Sequence, residues 1–238
     1  MTTSNRLIRR GLLRTAALWS LSSFVASRHV LAHGQHAGTT PSPDAADSIP
    51  RISPLDFGAK GDGLADDTAA CNAAAAKAQS VGGILVFPPG IFAISGFIII
   101  RNGVRQVLGQ GGTIRCINTR QDAGVLLAGR ISGQKTNVKQ CRVQGLVIDC
   151  GGVVDAATVG VYGQNASHCE IVGNRIENLR RGHGVLMRSF ADGDEASFGN
   201  IVRDNEIVAD TSSAAKCMCI SLDATLDEDE VKSGGAPS

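Results

Sequence analysis

Residues 52–95 read ISPLDFGAKGDGLADDTAACNAAAAKAQSVGGILVFPPGIFAIS, and the local chemistry of this stretch decides the fold. A Gly/Asp-rich turn comes first. Asp66 or Asp67 can then cap a helix, because a short carboxylate accepts hydrogen bonds from the free N–H groups of a first turn. Thr68 to Gln79 is an almost unbroken run of helix formers, and Gly82-Gly83 ends it. Ile84-Leu-Val-Phe87 is too short and too β-branched for a helix, and Pro88-Pro89-Gly90 forces a turn into a second strand.

The pattern D-F-G-A-K-G-D-G-x-x-D-D-T-x-A, an Ala-rich helix and G-G-x-L-x-F-P-P-G-x-F-x-I closely resembles the entry module of the pectate-lyase-like superfamily. The resemblance implies an all-β, right-handed, single-stranded parallel β-helix whose open N-terminal end is plugged by the capping α-helix. It speaks for fold more than for activity, since hydrolases, lyases, epimerases, tailspikes and repeat proteins share this module.

The 238-residue chain has 29 Gly and 4% aromatics, which suits many short strands and tight turns. Residues 1–32 read as an export signal: a basic start (Arg6, Arg9, Arg10), an apolar stretch from Thr15 to Ala26, and a small-residue end at Ala32. Arg9-Arg10-Gly11-Leu12-Leu13-Arg14 resembles a twin-arginine signal, with an ordinary secretory signal as the alternative. Either route implies a periplasmic or secreted protein with no membrane anchorage once the signal is gone. Without the five signal Arg, 18 basic residues face 22 acidic ones, a net −4 that argues against nucleic acid as a partner. Residues 33–51 read as a flexible linker, 52–100 as the cap and first coil, and 101–238 as further coils. Because Ser238 follows a strand and an acidic run with no strand to cover the last coil, the sequence reads as a fragment or a shortened relative.

The later chain repeats. Cys141–Cys150, Cys169–Asn178 and Asn200–Ala209 align without gaps, with apolar residues at the third and eighth positions. A further strand recurs at Gly124, Gly160, Gly184 and Cys219. Side-chain alternation sends Val125, Val161, Val185 and Ile220 inward, and Leu126, Tyr162, Leu186 and Ser221 outward with Arg188 and Asp223. The outward Leu/Tyr/Leu row is either a solvated strand face, a sugar-stacking groove or a subunit contact. The last of these would make the protein an oligomer.

Arg181-Gly-His183-Gly resembles the Gly-His-Gly strand start of polygalacturonases. The acid pair that hydrolysis needs is missing, because Thr158 and Val159 stand at the corresponding positions of the preceding coil. His183 is therefore a weak catalytic candidate beside a plain turn role. Lyases of the superfamily use calcium and a basic residue, so the resemblance implies Arg188 and Asp223 as catalytic candidates. Asp122, with Leu126, Tyr162 and Leu186, becomes a substrate-binding candidate. Asp192, Asp194 and Glu195 offer oxygen ligands for calcium, although a hydrated loop explains them equally well. Asp62, Asp66 and Asp67 need only turn and capping roles.

Seven cysteines show no zinc spacing. Cys141 and Cys169 share a repeat position and are expected to stack as small apolar residues, with a disulfide as the alternative. Asn174 and Asn205 are expected to form an amide ladder lining a turn. Together these features resemble the twin-arginine-translocated uncharacterised repeat proteins of the superfamily. The expected partner is a polysaccharide, most naturally an acidic one, met either by an enzyme or by a non-catalytic β-helix scaffold.

Overall fold

A computed structural model describes residues 48–117, 123–131, 134–135, 137–151, 158–190, 197–210 and 216–225; for 130–131, 134–135, 216 and 223–225 it describes the backbone. The expected export signal, and the linker up to residue 47, lie outside the described residues.

Three parallel sheets enclose one core. The first stacks Arg51–Ile52, Ile84–Phe87, Gln106–Gly109, Arg142–Gln144, Glu170–Val172 and Ile201–Arg203. The second stacks Asp62–Asp66, Gly90–Ile94, Gly112–Cys116, Val147–Asp149, Arg175–Leu179 and Glu206–Ala209. The third stacks Phe97–Ile100, Gly124–Ala128, Thr158–Gln164, Arg181–Phe190 and Lys216–Thr225. Each coil from Ile84 onward gives one strand to each sheet, so the chain is a parallel β-helix.

In-register apolar stacks hold it together. On the first sheet Leu85, Val107, Val143, Ile171 and Val202 are successive partners. On the second the stack is Phe92, Ile114, Ile148, Ile176 and Ile207. The third and eighth positions of the sequence repeat are thus the inward positions of two sheets. All of these side chains except Val202 and Ile207, on the last described coil, are buried. Each fully buried one contributes about 1.5–3 kcal/mol, and none can be buried by its own coil alone.

The entry module divides its two acids between two jobs. Asp66 caps the helix Thr68–Val81, its Oδ1 accepting from the Thr68 N–H at 3.0 Å. Asp67, 2% exposed, instead clamps the Gly-rich turn by accepting from Lys60 N at 2.7 Å and Gly61 N at 3.0 Å. The helix ends at Gly82, whose φ of 61° is left-handed. Its small buried face, Cys71, Ala74, Ala75 and Ala78, joins the core and lets the helix approach the first coil closely. Asn72 ties it to the third sheet by donating to Phe97 O and accepting from Ile99 N.

The expected asparagine ladder is present. Asn174, 2% exposed, accepts from Leu146 N through Oδ1 at 3.0 Å. Its Nδ2 donates to Val143 O at 3.0 Å and to Asn205 Oδ1 at 2.9 Å. Cys141 and Cys169 stack as expected, each just before strands that pair Arg142 with Glu170, and both are buried.

Strict alternation fails at one place in the third sheet. A Cβ on Gly160 would lie 2.8 Å from Ile176 Cγ2, and one on Gly184 2.7 Å from Ile207 Cγ2. Both glycines therefore face inward immediately before inward Val161 and Val185. This local break in alternation, made without any shift of register, turns Val159 to the same outer cluster as Tyr162. Ile220 keeps register with Val185, yet is 51% exposed because no described strand stacks beyond Lys216–Thr225.

Candidate functional site

The outer face of the third sheet collects most of the candidate residues. Tyr162 pairs with Leu126 on one side and Leu186 on the other, and Leu186 pairs with Ser221. Farther along, Gln164, Arg188 and Asp223 are successive partners. The repeat alignment thus places the named outward residues correctly along the sheet.

The expectation of an exposed apolar row is corrected by the packing. Leu126, Tyr162 and Leu186 are only 7, 9 and 5% exposed, and with Ala128 and Val159 they form a second hydrophobic cluster outside the tube. Phe97 and Ile99 pack against it, the Phe97 ring lying 6.2 Å from that of Tyr162. Phe97 and Ile99 belong to the first coil, which the repeat alignment did not reach. Continuing the outward row by one strand would have found them.

His183 lies half-buried on this face. Its register partners are Val159 on the preceding coil and Met218 on the following one, while Gly182 pairs with Thr158 and Cys217. No carboxylate occupies these four positions, in keeping with the missing acid pair. His183 Nδ1 is instead 2.7 Å from Ser221 Oγ, and Ser221 Oγ donates to Met218 Sδ at 3.6 Å. The donor in the His183–Ser221 bond depends on the imidazole tautomer: where Nδ1–H donates to Ser221 Oγ, Nε2 carries the lone pair, and where the hydroxyl donates, Nε2 carries the proton. The Ser221 partnership was not anticipated, although the register that made Ser221 an outward residue contains it.

Arg188 is half-buried, with its guanidinium carbon 5.9 Å from the Phe190 ring centroid. Asp223 is opposite it in register. Asp122, Asp192, Asp194 and Glu195 lie outside the described residues, so the expected calcium ligands have no described position. Among the described residues no three His, Cys, Asp or Glu side chains converge as a metal site. No described helix is long and apolar enough to cross a membrane.

A second charged face, unforeseen from the sequence, covers the second sheet. Arg115 Nε donates to Asp149 Oδ2 at 3.1 Å, and Arg175 pairs with Glu177 at 2.8 Å and Glu206 at 2.5 Å. Burial pushes the Asp149 carboxyl up, but the Asn178 amide, the Gly151 N–H and Arg115 outweigh it and hold it below the ordinary 3.8. These acids are neutralised by neighbouring Arg, which suits a solvated structural face rather than acid catalysis.

A model of the family described as Rhamnogalacturonase A/epimerase, pectate lyase-like, matches residues 52–211. No curated protein matches the chain. Similar solved structures include Geobacillus virus E2 ORF18, at 15% identity over 71% of this chain and 40% of that one, with a TM-score of 0.47. The A-module of the Azotobacter vinelandii mannuronan C-5 epimerase AlgE4 is 16% identical over 73% of this chain and 53% of its own, with a TM-score of 0.46. PfbA, a surface adhesin of Streptococcus pneumoniae, is 15% identical over 69% and 40%, with a TM-score of 0.45. The chain thus spans 40–53% of the length of these structures. The family match runs from the entry module through the coils that carry Tyr162 and His183, and this chain belongs to the Rhamnogalacturonase A/epimerase, pectate lyase-like family.

Proposed function

We propose that this chain acts outside the cytoplasm on an acidic polysaccharide lying along the outer face of the third sheet, by the proton-abstracting route of lyases and epimerases. Both reactions begin by removing the proton beside a sugar carboxylate. They need a base at that carbon and a cation for the carboxylate, and no acid pair. The observation that carries the proposal is the half-buried His183 on this face, its Nδ1 held 2.7 Å from Ser221 Oγ; the tautomer in which Nδ1–H donates to that oxygen leaves Nε2 with the lone pair of a base. Arg188, on the same strand and face, is the cation suited to a sugar carboxylate. His183 and Arg188 are five residues apart, about 16 Å along a strand, so Arg188 would hold a neighbouring sugar rather than the reacting one. Asp223 and the loop acids Asp192, Asp194 and Glu195 would contribute to cation binding, with calcium as the ion. The family description, which joins a rhamnogalacturonase with an epimerase, supports a polysaccharide substrate.

Non-catalytic glycan binding is the second reading, favoured by the lack of a carboxylate at the register positions around His183; the burial of Leu126, Tyr162 and Leu186 would confine such binding to polar and charged contacts. The test incubates the chain with polygalacturonate, alginate and a neutral glucan, with and without calcium. It follows unsaturated product by absorbance and exchange of the sugar proton for deuterium by NMR. Loss of either signal in His183→Gln, with a raised KM in Arg188→Ala, is the expected result. New reducing ends without unsaturation, or turnover indifferent to His183→Gln, would overturn the mechanism; binding without turnover would leave the scaffold.

A further inference from the structure

The core contains a thiol pair that the sequence repeat did not reveal. Cys116 ends the strand Gly112–Cys116, and Cys150 directly follows Val147–Asp149. Arg115 and Asp149 are register partners, so Cys116 and Cys150 occupy the next matched position on adjacent coils, 0 and 1% exposed. Neighbouring parallel strands lie about 4.8 Å apart, inside the Cα separation of about 4.4–6.8 Å that a disulfide spans. The neighbouring Cys116 thiol and burial together push the Cys150 thiol pKa well up, as expected of two thiols side by side in the core.

Cys141 and Cys169 make an instructive contrast. They also stand at matched positions on adjacent coils and are equally buried. There the Cys169 thiol is engaged with backbone, at 3.5 Å from both Val138 O and Ser167 O. Equal register and burial therefore come with different surroundings, because the Cys169 sulfur is turned to backbone carbonyls that neither Cys116 nor Cys150 is seen to engage.

We propose that Cys116 and Cys150 are a disulfide site that staples the second coil to the third, and that Cys141 and Cys169 remain thiols. The oxidant is a disulfide, either a dithiol-disulfide oxidoreductase or oxidised glutathione. One cysteine, as thiolate, attacks a sulfur of that disulfide and forms a mixed disulfide, releasing the first oxidant thiol. The second cysteine then attacks the protein sulfur of the mixed disulfide, forming the Sγ–Sγ bond and releasing the second thiol. Two protein S–H bonds are lost, and two oxidant S–S sulfurs leave as thiols. Full burial and a strongly raised Cys150 thiol pKa bar this exchange in the closed core, so it belongs to the folding chain. The compartment in which the chain folds then decides the redox state.

The test produces the full chain in the cytoplasm and, by a secretory signal, in the periplasm of a bacterial host. Each sample is denatured in alkylating reagent and mapped by peptide mass spectrometry. Periplasmic protein is expected to yield a Cys116–Cys150 cross-linked peptide with Cys141 and Cys169 alkylated; cytoplasmic protein is expected to have all four alkylated. The loop closed spans 34 residues, and a staple of that size raises the thermal midpoint by about 5–10 °C. Cys150→Ala is expected to abolish both the cross-link and the difference in midpoint, whereas Cys141→Ala keeps both. Periplasmic protein with Cys116 and Cys150 alkylated, or with Cys141 joined to Cys169, would overturn the assignment. The peptide map reads either outcome whether or not the alanine variants fold.

Discussion

Truncating Asn174 to alanine tests whether the stack of coils is held by its turn ladder as well as by its core. The side chain is 2% exposed and serves three partners: it accepts from Leu146 N and donates to Val143 O and Asn205 Oδ1. Each bond has a net worth of about 1 kcal/mol, and each buried backbone group left without a partner costs about 1–3 kcal/mol more. Allowing for partial relaxation, Asn174→Ala is expected to cost roughly 3–5 kcal/mol, a large share of the ~5–15 kcal/mol that holds a domain together. Asn205→Ala is the internal comparison. It removes bonds to Asn174 and Ile171 O, but on a half-exposed coil where water replaces them, so roughly 1–2 kcal/mol is expected. Urea unfolding followed by circular dichroism at neutral pH gives both values from the shift in midpoint at constant slope. The double variant should cost less than the sum, because the two side chains bond each other. An Asn174→Ala loss under about 1 kcal/mol, or equal losses at the two sites, would refute a buried ladder that carries load between coils.

Three further outcomes are expected. Gly160→Ala puts a Cβ within 2.7 Å of Gly184 O and 2.8 Å of Ile176 Cγ2, and should cost about 1–3 kcal/mol by overpacking, measured by thermal unfolding. Asp149 has a lowered carboxyl pKa, so its contribution is complete above the ordinary 3.8 and fades as pH falls through the folded value. Acid titration of Asp149→Asn should therefore show a shallower loss of stability below that pH than the parent, and an identical acid limb would exclude the ion pair as a stabiliser. Cys219 is exposed, whereas the Cys71 thiol is pushed up to about 12 by burial and by Asp67 and Asp66. A disulfide reagent at neutral pH should label Cys219 within the folded protein and reach Cys71 only after unfolding.

Local chemistry already specified much of the architecture. The Asp66-Asp67 pair, the Ala-rich run and Gly82 mark the helix, since capping and propensity act within a few residues of chain. The third and eighth positions of the repeat identify Val143, Ile148, Ile171 and Ile176 as core, because a strand's alternation and a coil's length are both written along one dimension. The inward and outward sides of Val161 and Tyr162 followed from the same rule, and the partnership of Thr158 and Val159 with Gly182 and His183 followed from aligning one coil with the next.

Contacts between different rows required the folded chain. Ser221 reaches His183 diagonally between two neighbouring strands, past the inward Gly184, where strict alternation breaks. Cys116 stands opposite Cys150 on a coil that precedes the aligned repeats, so the repeat alignment left the two unmatched. The outward Leu126, Tyr162 and Leu186 gave no sign of their burial, since alternation determines which way a side chain points and says nothing of what lies over it. Periodicity assigns each residue a direction; its partners depend on the offset between coils, and loops of unequal length make that offset a property of the closed three-dimensional stack.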